Sequence, residues 1–235
     1  MTLTLALCLL QGALANEDPG PPTTETALKY VRDSAEYHAI TTMVYRMATE
    51  QLQEAKKGTR PWAVVLDVDE TVLDNSTYQL ERRAYGFHYE SVSWLAWCER
   101  RQAGTVPGVK AFIDAVRDAG GEVAYVTNRK AAVTDATRDN LDDHGLWKKG
   151  DVLCLRTDTS DKAPRRESLR TGEGDCSFGK PTRIAMYIGD TMGDFPADGE
   201  SASTRLELLG ERAFLLPNPM YGEWQSRGGI TRPQP

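Results

Sequence analysis

Five short apolar runs narrow the folds open to this chain: Trp62-Ala63-Val64-Val65-Leu66, Glu122-Val123-Ala124-Tyr125-Val126, Val152-Leu153-Cys154-Leu155, Ile184-Ala185-Met186-Tyr187-Ile188 and Ala213-Phe214-Leu215-Leu216. Each is too short for a helix and nearly continuous in apolar character, the pattern of a strand buried on both faces. Helical patterns lie between several of them. Val109 to Val116 carries one and ends at Gly120-Gly121; Ala131 to His144 carries another and ends at Gly145. Strands alternating with helices predict an α/β fold, a doubly wound parallel sheet.

Two stretches stand outside that rhythm. From Thr23 to Lys57, residues such as Ala27, Tyr30, Val31, Ser34, Tyr37, Thr41, Tyr45, Ala48 and Leu52 recur at spacings of three and four, which predicts one long helix closed by Gly58. Between the first apolar run and Val109 lie roughly forty residues, too long for an ordinary loop. They hold Tyr78, Tyr85, Phe87, Tyr89, Trp94 and Trp97, too aromatic a set for a linker. A small, mostly helical cap inserted over residues 74–105 is the expectation.

The N-terminus reads as an export signal. Thr2 to Leu14 carries no charge, and Ala13-Leu14-Ala15 offers a small-x-small cleavage site. This predicts a signal peptide over 1–15 and a single domain over 16–235, exported to a periplasm or medium. No Lys or Arg precedes the run. A helix docked on the core and a lipid anchor at Cys8 are the competing readings, the second disfavoured by Leu7 before the cysteine. The run is short for a bilayer, and no other segment is long and apolar enough to cross one. Removal of residues 1–15 leaves Cys98, Cys154 and Cys176, enough for one disulfide and a thiol. A Cys154–Cys176 bridge and three free thiols both remain open, and no close Cys/His spacing points to zinc. Gly228 to Pro235 reads as a frayed tail.

In an open parallel sheet, ligands bind beyond the carboxyl ends of the strands. Past the first run comes Asp67-Val68-Asp69-Glu70-Thr71. Two carboxylates so spaced at a strand end can reach one cation, which would offset the repulsion between a phosphoester and a carboxylate nucleophile. Asp67 is the candidate nucleophile. Asp69 is the candidate acid for the leaving oxygen and base for the water that follows. Past the second run, Thr127-Asn128-Arg129 offers a hydroxyl and backbone N–H groups for phosphate oxygens, with Asn128 as a further substrate contact. Lys162 follows the third run and would neutralise charge on the phosphoryl group and Asp67. Past the fourth, Gly189-Asp190-Thr191-Met192-Gly193-Asp194 supplies two more carboxylates. An all-oxygen set without His or Cys suits Mg²⁺ and not zinc. Each fragment alone could be a polar loop; four in order, each after its own strand, form a specific signal.

That ordered set resembles the haloacid-dehalogenase superfamily. Asp67 to Ser76, Val106-Pro107-Gly108, Tyr125 to Arg129 and Leu216 to Gly222 are similar to motifs of the class C acid phosphatases, the bacterial lipoprotein e(P4) family. The resemblance implies a Rossmann-like core with a small helical cap. It implies hydrolysis of small phosphomonoesters at acidic pH, 5′-nucleotides among them. It implies Mg²⁺ held by Asp67, Asp69 and Asp190, the second through its backbone carbonyl, with Asp194 in support. It also implies that Phe87, Trp94 and Tyr221 grip the leaving group. A phosphotransferase to alcohol acceptors and a non-catalytic binding protein are the alternatives. The chain has 34 acidic and 28 basic residues, a net charge of −6, which argues against a nucleic-acid polymer as partner. A small anion is compatible with it, because a pocket can be positive on an acidic protein. Oligomeric state stays open. Arg165 and Arg166 read as a solvated charged loop, and Asp74 as the cap of a turn.

Overall fold

The computed structural model describes residues 23–225 apart from 59, 198–199 and 201–202. The expected signal peptide, Cys8 and the C-terminal tail lie outside the described residues. The chain runs through α1 (Glu25–Asp33), α2 (Ala35–Glu50), α3 (Leu52–Ala55) and β1 (Trp62–Leu66). An insertion follows, with β2 (Leu73–Asp74), α4 (Ser76–Ala84), α5 (Ser91–Glu99) and β3 (Gly104–Thr105). Then come α6 (Val109–Asp118), β4 (Glu122–Lys130), α7 (Thr134–Asp143), β5 (Val152–Arg156), α8 (Ala163–Thr171), β6 (Arg183–Gly189), α9 (Arg205–Leu208) and β7 (Ala213–Leu215).

The five expected strands form one parallel sheet in the order β5-β4-β1-β6-β7. β1 lies at the centre, and the chain winds first to one side of it and then to the other. That reversal opens a crevice at the carboxyl ends of β1 and β6. The two-residue repeat of a strand sorts the core by face. Val64 and Leu66 join Val123, Tyr125, Met186 and Ile188 on the face covered by α2 and α6. Val65 joins Ala124, Val126, Ile184 and Tyr187 on the face that also buries Leu169 of α8. Both faces are covered, which is why the strands read as continuous apolar runs.

Three expectations need correction. The long N-terminal helix is broken at Ser34, whose backbone is extended. Its hydroxyl donates to Tyr30 O at 2.7 Å and accepts from Tyr37 N at 3.0 Å, closing one helix and capping the next. A second break at Gln51 sets off α3. β4 does not stop at Val126 but continues to Lys130, with its register to β5 shifted between Val126 and Lys130. Arg165 and Arg166 are buried in α8 and not solvated: Arg165 spans to Thr127 O at 2.5 Å, and Arg166 pairs with Glu200 at 2.7 Å.

The insertion holds two helices and the antiparallel ribbon β2–β3. Asp74 Oδ1 accepts from Ser76 N at 2.8 Å, capping the entry to α4 as expected. Cys154 and Cys176 are bridged, tying β5 to the loop after α8, and Cys98 is a buried thiol. The two ends of the described chain meet: Thr23 Oγ1 donates to Gln79 Oε1 at 2.9 Å and lies 3.2 Å from Met220 O, 197 residues away. Among the described residues, no helix is long and apolar enough to cross a membrane.

Candidate active site

A cavity of about 620 Å³ opens at the carboxyl ends of the strands, between the sheet and the insertion. Its floor holds Asp67, Asp69, Lys162, Asp190 and Asp194; Phe87, Trp94, Asn128 and Tyr221 line it too. The structure therefore brings together nine of the ten residues singled out from sequence. The tenth, Thr127, is fully buried directly beneath Asn128, with its hydroxyl accepting from Arg129 N at 3.1 Å.

Asp67 follows β1 without a break, and its N–H still donates to Ile188 O at 3.0 Å. The sheet itself holds this residue. Lys162, at the N-terminus of α8, donates to Asp67 Oδ1 and to Asp194 Oδ1, the latter at 2.6 Å. Thr191 holds the other Asp194 oxygen through its N–H at 2.9 Å and its hydroxyl at 3.1 Å. This box needs Gly189: a Cβ there would lie 2.3 Å from Asp194 Oδ2. Asn218 Nδ2 donates to Asp190 Oδ2 at 2.8 Å.

Carboxylate oxygens of Asp67, Asp190 and Asp194 all lie within 4.8 Å of one another. One ammonium among three carboxylates, two of them buried and Asp190 half-buried, leaves excess negative charge. Burial pushes Asp67 up to about 7; Lys162 pulls the other way, and Asp194 and Asp69 add to the rise. Burial, followed by Asp194 and Asp67, raises Asp190 well above the carboxylate range. Burial disfavours the charge on Lys162, but Asp194 and Asp67 outweigh it and raise its pKa. Such a set fits a hard divalent cation, which would supply the missing positive charge to oxygen donors alone.

Asp69 is oriented differently. Its Oδ1 accepts from Asn75 Nδ2 at 3.0 Å and from Arg129 Nε at 2.9 Å, away from the three-carboxylate cluster. Asn75, Arg129, Arg165 and Asn218 are the polar supports that sequence reasoning left without a role. Arg165 holds Asn128 Oδ1 at 2.7 Å as well as Thr127 O. All but Arg165 fell inside motifs already quoted, so position was available and direction was not. Glu70 adds a left-handed turn (φ 56°) just after Asp69, and its Oε1 accepts from Asn75 N at 2.8 Å.

The insertion forms the outer wall. Trp94 packs edge-on against Tyr78 with ring centroids 5.0 Å apart. Phe87 is 55% exposed, stacked on Tyr85, with Arg82 5.0 Å from its ring centre. Trp97 is buried in the core, and its indole N–H donates to Asn75 Oδ1 at 2.8 Å.

The family model described as HAD superfamily, subfamily IIIB (Acid phosphatase) matches residues 18–224. Acid phosphatase 1 of Solanum lycopersicum is 28% identical over 219 residues, 88% of this chain and 78% of that protein. The class C acid phosphatase from Bacillus anthracis superposes with a TM-score of 0.72 at 28% identity, covering 88% of this chain and 90% of that one. The same bacterial enzyme with tungstate bound gives 0.71 at 29% identity, covering 85% of each chain.

Proposed function

The chain belongs to subfamily IIIB of the HAD superfamily, the acid phosphatases, and is a phosphomonoester hydrolase; from that premise we propose that it works through an aspartyl-phosphate on Asp67 with Mg²⁺ beside it, and accepts 5′-nucleotides. The observation that carries this is the floor: Lys162 bound to both Asp67 and Asp194, with Asp190 completing a crowd of oxygens.

Asp67, Asp190 and Asp194 would hold the ion by their carboxylates and Asp69 by its backbone carbonyl. Bound there, Mg²⁺ would offset the repulsion between a phosphate dianion and the carboxylates and orient the phosphoryl oxygens. A carboxylate oxygen of Asp67 attacks phosphorus, and the P–O bond to the leaving group breaks. Lys162 steadies the charge on Asp67 and on the phosphoryl oxygens. Asp69 gives a proton to the leaving oxygen and then takes one from the water that cleaves the intermediate. Asn128, which lines the cavity and is held by Arg165, would bind a phosphoryl oxygen; Thr127, whose carbonyl Arg165 also holds, would reach one only with its hydroxyl turned from Arg129 N. The tungstate on the Bacillus anthracis relative supports oxyanion binding in this fold.

Phe87, Trp94 and Tyr221 present π-faces and edges at the mouth, suited to a nucleobase. The Cys154–Cys176 bridge supports export, since disulfides persist in oxidising compartments. The test is phosphate release from 5′- and 3′-nucleotides and aryl phosphates, at acidic and neutral pH, with Mg²⁺ and with a chelator. Chelator-sensitive hydrolysis favouring 5′-nucleotides is expected. No release from folded, Mg²⁺-loaded protein would overturn the mechanism, and equal use of 3′-nucleotides would overturn the aromatic clamp.

A further inference from the structure

Arg129 is the largest fully buried side chain in the described molecule. A guanidinium cannot shed its charge, so its burial demands partners. Nε donates to Asp69 Oδ1 at 2.9 Å, and Nη2 lies 2.8 Å from that same oxygen. Nη2 also donates to Asn75 Oδ1 at 3.2 Å, and Nη1 to Thr137 Oγ1 at 3.2 Å. The Trp94 ring centre lies 5.6 Å from the guanidinium carbon.

The asymmetry of the ion pair is informative. An arginine in a two-point pair sets one nitrogen on each carboxylate oxygen. Here both nitrogens fall on Oδ1, and the Asn75 amide donates to Oδ1 too. An oxygen facing that many donors has no room for a proton of its own. In the acid form of Asp69, the hydrogen therefore sits on Oδ2. Asn75 is in turn held by the Trp97 indole N–H, so α5 of the insertion braces the carboxyl from behind.

We propose that Arg129, with Asn75, is a positioning residue that fixes which oxygen of Asp69 carries the transferred proton and where it points. The inference rests on the reading of Asp69 as the proton donor. As Asp67 bonds to phosphorus and the P–O bond breaks, its electron pair passes to the leaving oxygen. That oxygen takes the proton from Oδ2, and Asp69 is left as a carboxylate whose Oδ1 is already neutralised. A merely structural arginine, tying β4 to α5 and α7, would predict no dependence on the leaving group.

The experiment compares kcat/KM, which reports the chemistry through leaving-group departure, on p-nitrophenyl phosphate and on an alkyl phosphate. The first leaving group departs stably without a proton; the second needs one. Arg129→Lys keeps the charge and loses the planar fork. It should lower kcat/KM for the alkyl phosphate by about 100-fold and for the aryl ester by only a few-fold. Asn75→Ala, which removes one donor, should give the same split at about 10-fold, and it decides the matter if Arg129→Lys does not fold. An equal loss on both substrates, or none, would overturn the positioning role. Asp69→Asn, measured beside them, separates the premise: if it lowers both substrates equally, Asp69 is not the proton donor, whereas a leaving-group split there without one in Arg129→Lys and Asn75→Ala overturns the positioning role alone.

Discussion

The floor and the outer wall of the cavity are built on opposite principles. Floor residues follow the ends of β1 and β6 or start α8, are mostly buried, and hold one another through Lys162, Thr191 and Asn218. The wall comes from the insertion and the loop around Tyr221, and leaves Phe87 and Tyr85 largely exposed. A group carried on a sheet is held within tenths of an ångström, as bond-making demands. A group on an inserted surface can vary without disturbing the sheet. On the proposed mechanism, reaction type would reside in the floor and substrate choice in the wall.

The largest effect should come from breaking the floor. Asp67→Asn keeps the shape and would remove the proposed nucleophile. Phosphate release should fall at least about 10³-fold on every substrate alike; a loss confined to nucleotides would undo the division of labour. Next is the brace behind the floor. Replacing Cys154 and Cys176 by Ser opens a loop closed over 22 residues, which should cost about 2–4 kcal/mol, read as a lower midpoint in urea. The aryl phosphate and nucleotide rates of the folded fraction should fall together if the comparison holds.

The wall is sharpened by Trp94→Ala. Loss of one stacking face should lower kcat/KM for 5′-nucleotides by about 10-fold, from a loss of about 1–3 kcal/mol per base, and leave a small alkyl phosphate nearly unchanged. The smallest effect is on stability against pH. Asp67 has a folded pKa of about 7 against an ordinary 3.8, and Asp190 shifts the same way. A raised carboxylate binds its proton more tightly when folded, so this contribution is full below about pH 4 and is lost as pH rises through about 7. Metal-free protein should melt several degrees lower at neutral pH than near pH 5, and added Mg²⁺ should remove the difference. A flat thermal profile would show that the carboxylates are not crowded in solution.

The floor was legible in sequence because it lies where strand patterns end. Val64, Val65 and Leu66 announce a strand by burial on both faces, and Asp67 and Asp69 follow at once. The supports were not legible, because they depend on which way a side chain turns. Arg165 and Arg166 look like surface charge after Lys162, yet α8 rotates them inward to Thr127 O and Glu200. Arg129 alternates with exposed Asn128 as strand residues do, but only the continuation of β4 to Lys130 makes that alternation apply. The helix break at Ser34 was hidden for a related reason: serine fits a polar helical position and a cap equally well, and only the backbone tells which.

The bond from Thr23 to Met220 has a consequence for how such a chain is made. Synthesis delivers Thr23 197 residues before Met220. β1, β4 and β5 can pair while later residues are still being added, but β6 and Asn218 must arrive before Asp190 has its partner. The Tyr221 side of the mouth closes only after that. A chain stopped just short of Met220 would carry Asp67 and Lys162 on the complete five-stranded sheet, without the Tyr221 side of the mouth. In this topology the cavity is therefore complete only once the chain through Tyr221 has been made.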